Sequence, residues 1–158
     1  MLSAAAILLA LPWAPGSADE VDEWALALQE VCAWGQGPTE APAGEDCVAE
    51  AAVLLWLESR LSLYPPARGH GCGPLQVLAT TLGNSRIGRL STPPCAQLRV
   101  LQEGVAWGVY VLRLKARYGS WYHRARAYKG HPRFRDSYGR RAVALRDAIR
   151  RALEDRET

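Results

Sequence analysis

The chain has 158 residues, of which 49% are hydrophobic and 22% charged; that is enough for one domain with a buried core, and it excludes a disordered tail. The net charge of +3 conceals an asymmetry: residues 1–78 hold two Arg against ten Asp or Glu, and residues 79–158 hold seventeen Lys or Arg against six acids. The basic half suits an anionic polymer such as cell-wall material, nucleic acid or a lipid surface. It suits equally well a set of arginines paired with the acidic half.

In chain order, "MLSAAAILLALPWAPGSA" reads as a secretory leader over residues 1–18, with an apolar stretch and small residues at Gly16 and Ala18 before Asp19. No Lys or Arg precedes that stretch, so the alternative is an uncleaved N-terminal arm. Pro12 and Pro15 break it, and it is too short to make a stable membrane span. Cysteines stand at 32, 47, 72 and 95. None forms a C-x-x-C pair, which argues against a metal or thioredoxin-type site. An even count agrees with export, to a periplasm, an extracellular space or a phage particle. Of the three possible pairings, Cys32–Cys47 and Cys72–Cys95 each close a modest loop containing Gly and Pro; four buried thiols are the alternative.

Residues 19–44 hold a helix and a loop. "VDEWALALQEVCAW" sets Val21, Trp24, Leu28 and Val31 near helical spacing, and "GQGPTEAPAG" follows as a loop. "EDCVAEAAVLLWLESR" is the next helix, apolar nearly all round and hence buried, with Glu45 and Asp46 at its positive end. After a loop over 62–74, "LQVLATTL" reads as a short helix and "GNSRIGRLSTPP" as a loop. "CAQLRVLQEGVAWGVYVLRLKARYG" reads as one long helix, with Leu98, Leu101, Val105, Val109 and Leu112 on one face. Gly104 and Gly108 on it permit close approach of a neighbouring helix. "SWYHRARAY" is a helix capped by Ser120, "KGHPRFRD" a turn, and residues 132–158 end in a basic amphipathic helix. No useful strand alternation is present, so the fold class is mostly α.

Glu58 ends the buried helix, where desolvation and the carbonyl end of the helix dipole both favour a protonated carboxyl. Trp56 and Leu57 offer apolar walls. Such a group suits a general acid that protonates a glycosidic oxygen. By itself the pattern is weak, because many helices end in Glu.

The spacing around it resembles the goose-type lysozyme and lytic transglycosylase family. Glu58-Ser59, an apolar Leu61, Ala67 and then Gly73-Pro74-Leu75-Gln76-Val77 parallel the family's Glu-Ser, Pro/Ala-containing loop and Gly-Leu-Met-Gln-Val. Ala127-Tyr128 falls where the family's helix ends in Ala-Tyr-Asn-Ala-Gly, and the preceding Lys115-Ala116-Arg117-Tyr118-Gly119 is also similar. The likeness covers roughly residues 46–131. It implies a lysozyme-like catalytic core over 45–131 with an active-site cleft, no cofactor, and cleavage of the β-1,4 bond between N-acetylmuramic acid and N-acetylglucosamine in peptidoglycan glycan strands. Glu58 would be acid and then base. Ser59 would position Glu58 or an N-acetyl group. Gly73 and Gln76 would line the cleft, and Tyr128 would hydrogen-bond beside Glu58. A muramoyl 6-hydroxyl attacking within the substrate explains how one carboxylate suffices.

The chain departs from the family at Lys129, which replaces Asn and suits an anionic sugar or lactyl carboxylate, at His131, at Pro74 and at Cys72. Trp107, Trp121 and Tyr122 serve as core or as sugar-stacking surface, with core the better fit. His70, His123 and His131 lack ligand spacing. Glu103 is the candidate for a second carboxylate, although a solvated mid-helix residue reads the same way. Besides the transglycosylase, the sequence admits a lysozyme-like hydrolase and an inactive wall-binding relative. A secretion, conjugation or phage assembly is a fitting partner. A nucleic-acid module rests only on "RRAVALRDAIRRAL", without a stacking platform beside it, and is set aside.

Overall fold

A computed structural model describes residues 3–12, 18–34, 42–65, 71–78 and 94–158. Among the described residues seven α-helices run in order: α1 (Ala4–Leu9), α2 (Ala18–Ala33), α3 (Gly44–Ser59), α4 (Cys95–Leu98), α5 (Leu101–Leu114), α6 (Trp121–Lys129) and α7 (Arg135–Glu157). A 3-10 turn, Lys115–Tyr118, joins α5 to α6, and a two-residue antiparallel pair, β1 (Gly71–Cys72) and β2 (Val77–Leu78), lies between α3 and α4. The protein is mostly α, as the periodicity requires.

α3 is the centre of the molecule. Its residues from Cys47 to Trp56 are all buried, which is why it is apolar on every side. α1, α2, α5 and α7 pack around it. α2 presents Val21, Trp24, Leu28 and Val31 to that core, all of them buried. The apolar stretch read as a leader is folded as α1 over residues 4–9, with Ile7 and Leu8 buried against α2 and α3. Among the described residues no helix is long and apolar enough to cross a membrane. The disulfides are Cys32–Cys47, which ties α2 to α3, and Cys72–Cys95, which ties β1 to α4. Each contributes about 3 kcal/mol by restricting the unfolded chain.

Three local readings are corrected. The stretch from Leu75 is not a short helix: Gly73–Gln76 form a turn and Val77–Leu78 a strand, while residues 79–93 lie outside the described set, as do residues 66–70 with Ala67 and His70. A hairpin of two-residue strands carries no alternation to detect. The long helix is broken at Arg99–Val100 and tightens to a 3-10 turn at Lys115. The break leaves the Leu98 carbonyl facing both Gly73 and Gly104, where a Cβ would overlap it.

The third correction concerns the close partners of Gly104 and Gly108: Gly104 meets the end of α4 at Leu98 and Pro74 of the 73–76 turn, and Gly108 meets Leu75 of that turn. A Cβ at Gly108 would overlap the Leu75 side chain. Gly108→Ala is expected to destabilise the protein by about 1–3 kcal/mol through overpacking. A urea midpoint equal to that of the parent would show that the turn is free to move.

The charge asymmetry is partly internal. Arg146 pairs with Asp46 at 2.6 Å and Arg124 pairs with Glu50, each joining the basic half to α3. Arg140, Arg141, Arg150 and Arg151 on α7 remain exposed.

Candidate active site

Glu58 sits in the last turn of α3, where the helix leaves the core. The chain then turns sharply through Arg60 (φ 55°) and Leu61 (φ 61°), both left-handed. Gln76 (φ 49°) is the remaining non-glycine residue with positive φ among those described. Such conformations cost on the order of 1–2 kcal/mol each outside glycine. Arg60 and Leu61 follow Glu58-Ser59, and Gln76 is itself one of the residues that the spacing singled out; strain of this kind collects at functional sites.

The Glu58 carboxyl is removed from most of its water, and burial pushes its pKa above the ordinary range. The Tyr138 hydroxyl and the Lys129 ammonium pull it part of the way back. Tyr128, from the last turn of α6, donates its phenol to the Leu75 carbonyl at 2.6 Å. Burial, with the Glu58 charge second, pushes that phenol well above its usual value. Tyr138 is raised in the same way and for the same leading cause. Its hydroxyl has no partner in full hydrogen-bond geometry, yet it stands near enough to Glu58 to act on its proton affinity. The Lys129 ammonium lies 5.5 Å from the centre of the Tyr138 ring. One acid, two phenols that stay protonated and one ammonium thus converge where α3, α6 and α7 meet.

Of the sequence candidates, Glu58, Tyr128 and Lys129 are brought together. Ser59 faces back into its helix: its hydroxyl donates to the Leu55 carbonyl at 3.1 Å and accepts the Ser62 N–H at 3.2 Å. It shapes the turn after Glu58. Gly73 (φ 74°) makes the sharp entry to the hairpin turn. The Gln76 side-chain amide donates to the Gly73 carbonyl at 2.9 Å, so it braces the turn whose Leu75 carbonyl receives Tyr128. Tyr128→Phe is expected to cost about 1 kcal/mol through loss of that bond. An unchanged urea midpoint would mean that the bond is not made in solution.

The remaining candidates fall elsewhere. The Trp121 indole donates to the Ala142 carbonyl at 3.0 Å, and the Tyr122 ring lies against Gly139; both serve the packing of α6 on α7. Trp107 is half-buried beside Tyr110 and, with Trp34, lines a hollow of about 270 Å³ between α2 and α5. A second hollow, of about 240 Å³, lies between α3 and α7 near Asp46 and Arg146. Neither is lined by Glu58. Glu103 is exposed in the first turn of α5. His131 accepts the Arg133 N–H and rests on Phe134. Among the described residues no group of three or more His, Cys, Asp or Glu is placed to hold a metal.

Sequence reasoning missed Tyr138 and the buried pair Glu50–Arg124. Tyr138 opens the buried stripe Tyr138, Ala142, Ile149 and Leu153 of α7. A phenol in a stripe of aliphatic residues on a basic helix was the available signal. No signal marked Glu50, because a single acid within an apolar helix does not name its partner.

Comparison with protein-family models, curated proteins and solved structures finds no match to this chain. The class that the fold defines is a disulfide-stapled, mostly helical protein, in which the partly desolvated Glu58 carboxyl lies near Tyr128 and Tyr138.

Proposed function

We propose that the protein cleaves peptidoglycan glycan strands as a lytic transglycosylase, with Glu58 as general acid and base. The observation that carries this reading is the burial of Glu58, which favours its protonated form, beside phenols that remain protonated. The resemblance of the Glu58-Ser59, Gly73-Pro74-Leu75-Gln76-Val77 and Ala127-Tyr128 blocks to that family supplies the substrate class.

In the reaction, Glu58 gives its proton to the glycosidic oxygen as the bond from that oxygen to C1 of N-acetylmuramic acid breaks. The N-acetyl group steadies the cationic centre. The 6-hydroxyl of the same sugar then bonds to C1, and its proton passes to the Glu58 carboxylate, which restores the acid. The product carries a 1,6-anhydro end. Tyr138, facing the carboxyl, helps to hold its geometry through the cycle. Lys129 supplies a cation for a lactyl carboxylate. The exposed position of Glu103 disfavours a second working acid, and so favours the anhydro product over hydrolysis by water.

Two disulfides are compatible with an oxidising compartment, and the exposed arginines of α7 suit an anionic wall. Mass spectrometry of fragments released from purified murein tests the reading. Anhydro ends are expected. Reducing ends would make the protein a lysozyme-like hydrolase, and no release would leave a wall-binding relative.

A further inference from the structure

α6 carries both Tyr128 and Lys129, yet its backbone packs chiefly on α7 and meets α3 only sparsely. Its placement against the helix that bears Glu58 therefore runs through side chains. One tie, from the Tyr128 phenol to the Leu75 carbonyl, reaches the 73–76 turn and not α3 itself. The other is Arg124, whose guanidinium donates to Glu50 on α3 and to the Gly119 carbonyl before α6. Arg124 is one turn before Tyr128, on the same face of α6. Glu50 lies eight residues before Glu58, about 12 Å along α3. A rotation of α6 that parted Arg124 from Glu50 would carry Tyr128 and Lys129 away from Glu58.

Stability does not account for this pair. Glu50 is only 4% exposed, and its Oε2, like Nε of Arg124, has no hydrogen-bond partner. Arg124 from α6 and Arg146 from α7 pull the Glu50 carboxyl down, while burial, helped by Asp46 on its own helix, pushes it up and outweighs them. A buried ion pair left partly unsatisfied commonly costs more than an apolar pair of the same volume. What the pair does supply is a fixed distance and rotation between two helices.

We propose that Arg124 and Glu50 form a positioning pair, which sets the rotation of α6 so that Tyr128 and Lys129 stand against Glu58. Its consequence for turnover rests on the murein-cleaving reading; its consequence for Glu58 does not.

The test compares the parent with Glu50→Met/Arg124→Met, Glu50→Gln and Arg124→Lys. The readouts are the carboxyl titration of Glu58 by carbon-13 NMR, the thermal midpoint, and kcat and KM on soluble murein fragments. The double Met variant is expected to be at least as heat-stable as the parent. Its Glu58 midpoint should fall, because the water that enters beside the carboxyl relieves the largest influence on it, burial, and this outweighs the loss of the smaller, opposite pull of Lys129. Its kcat should fall about tenfold, the size of one misplaced acid–base contact, with KM little changed. Glu50→Gln keeps an oxygen for Arg124 and should retain the parent midpoint.

A double variant with the parent's Glu58 midpoint and kcat would overturn the proposal. Should that variant not fold, Arg124→Lys decides: it keeps the charge without the forked geometry, and a parent midpoint there overturns the proposal as well. A parent that releases nothing from murein, while the Glu58 midpoint still moves in the variants, sinks the enzymatic reading and leaves the positioning role standing.

Discussion

Glu58→Gln is expected to lower murein cleavage by roughly a thousandfold or more, the upper range of what a positioned proton donor contributes. The carboxamide matches the carboxyl in shape and lacks the acidic proton. Because Glu58 is half-buried at the end of α3 and desolvation raises its pKa, the variant also removes a group that is costly to ionise. The sign follows from linkage: a group that holds its proton more tightly when folded loses stability as pH rises through its folded pKa. The variant should therefore melt at or above the parent temperature at neutral pH. Zymography with a thermal melt on the same samples checks both halves. Equal clearing by parent and variant would place the acid elsewhere.

The second large effect belongs to Glu50, whose carboxyl is raised from 4.5 to about 7, first by burial and against the pull of Arg124. The folded chain holds this proton more tightly than the unfolded chain does. Its contribution to stability is thus fully present below pH 4.5 and is lost as pH climbs through about 7. The whole rise is worth about 3 kcal/mol, or roughly 6–12 °C in melting temperature for a chain of this size. Glu58 adds to the trend in the same direction. Glu50→Gln mimics the protonated form, so its melting temperature should be flatter across this window and higher than the parent's at pH 8. A parent whose stability rises between pH 4.5 and 7 would contradict this account of the buried pair.

The helices were legible because their apolar residues recur at helical spacing, and α3 because it is apolar all round. Glu58 and Tyr128 were legible only through spacing; chemistry alone gave a carboxyl at a helix end. The break at Arg99–Val100 was hidden because no Pro or Gly marks it. A tertiary contact accompanies it: the Leu98 carbonyl stands where a Cβ on Gly73 or Gly104 would be. The left-handed Gln76 was hidden because glutamine does not announce that conformation. Tyr138 lies in a helix legible only as basic and amphipathic, since the cationic residues around it outnumber the buried stripe. Glu50 and Arg124 are 74 residues apart, and nothing local to either predicts the other.

The Cys72–Cys95 bridge fastens the hairpin whose turn meets Tyr128. Thiol-rich cytosol keeps such bonds open. In a reductant the turn that receives Tyr128 would therefore lose its covalent tie to α4. On the murein-cleaving reading, dithiothreitol should lower activity reversibly; full activity in the reductant would show that the turn keeps its place without the bridge.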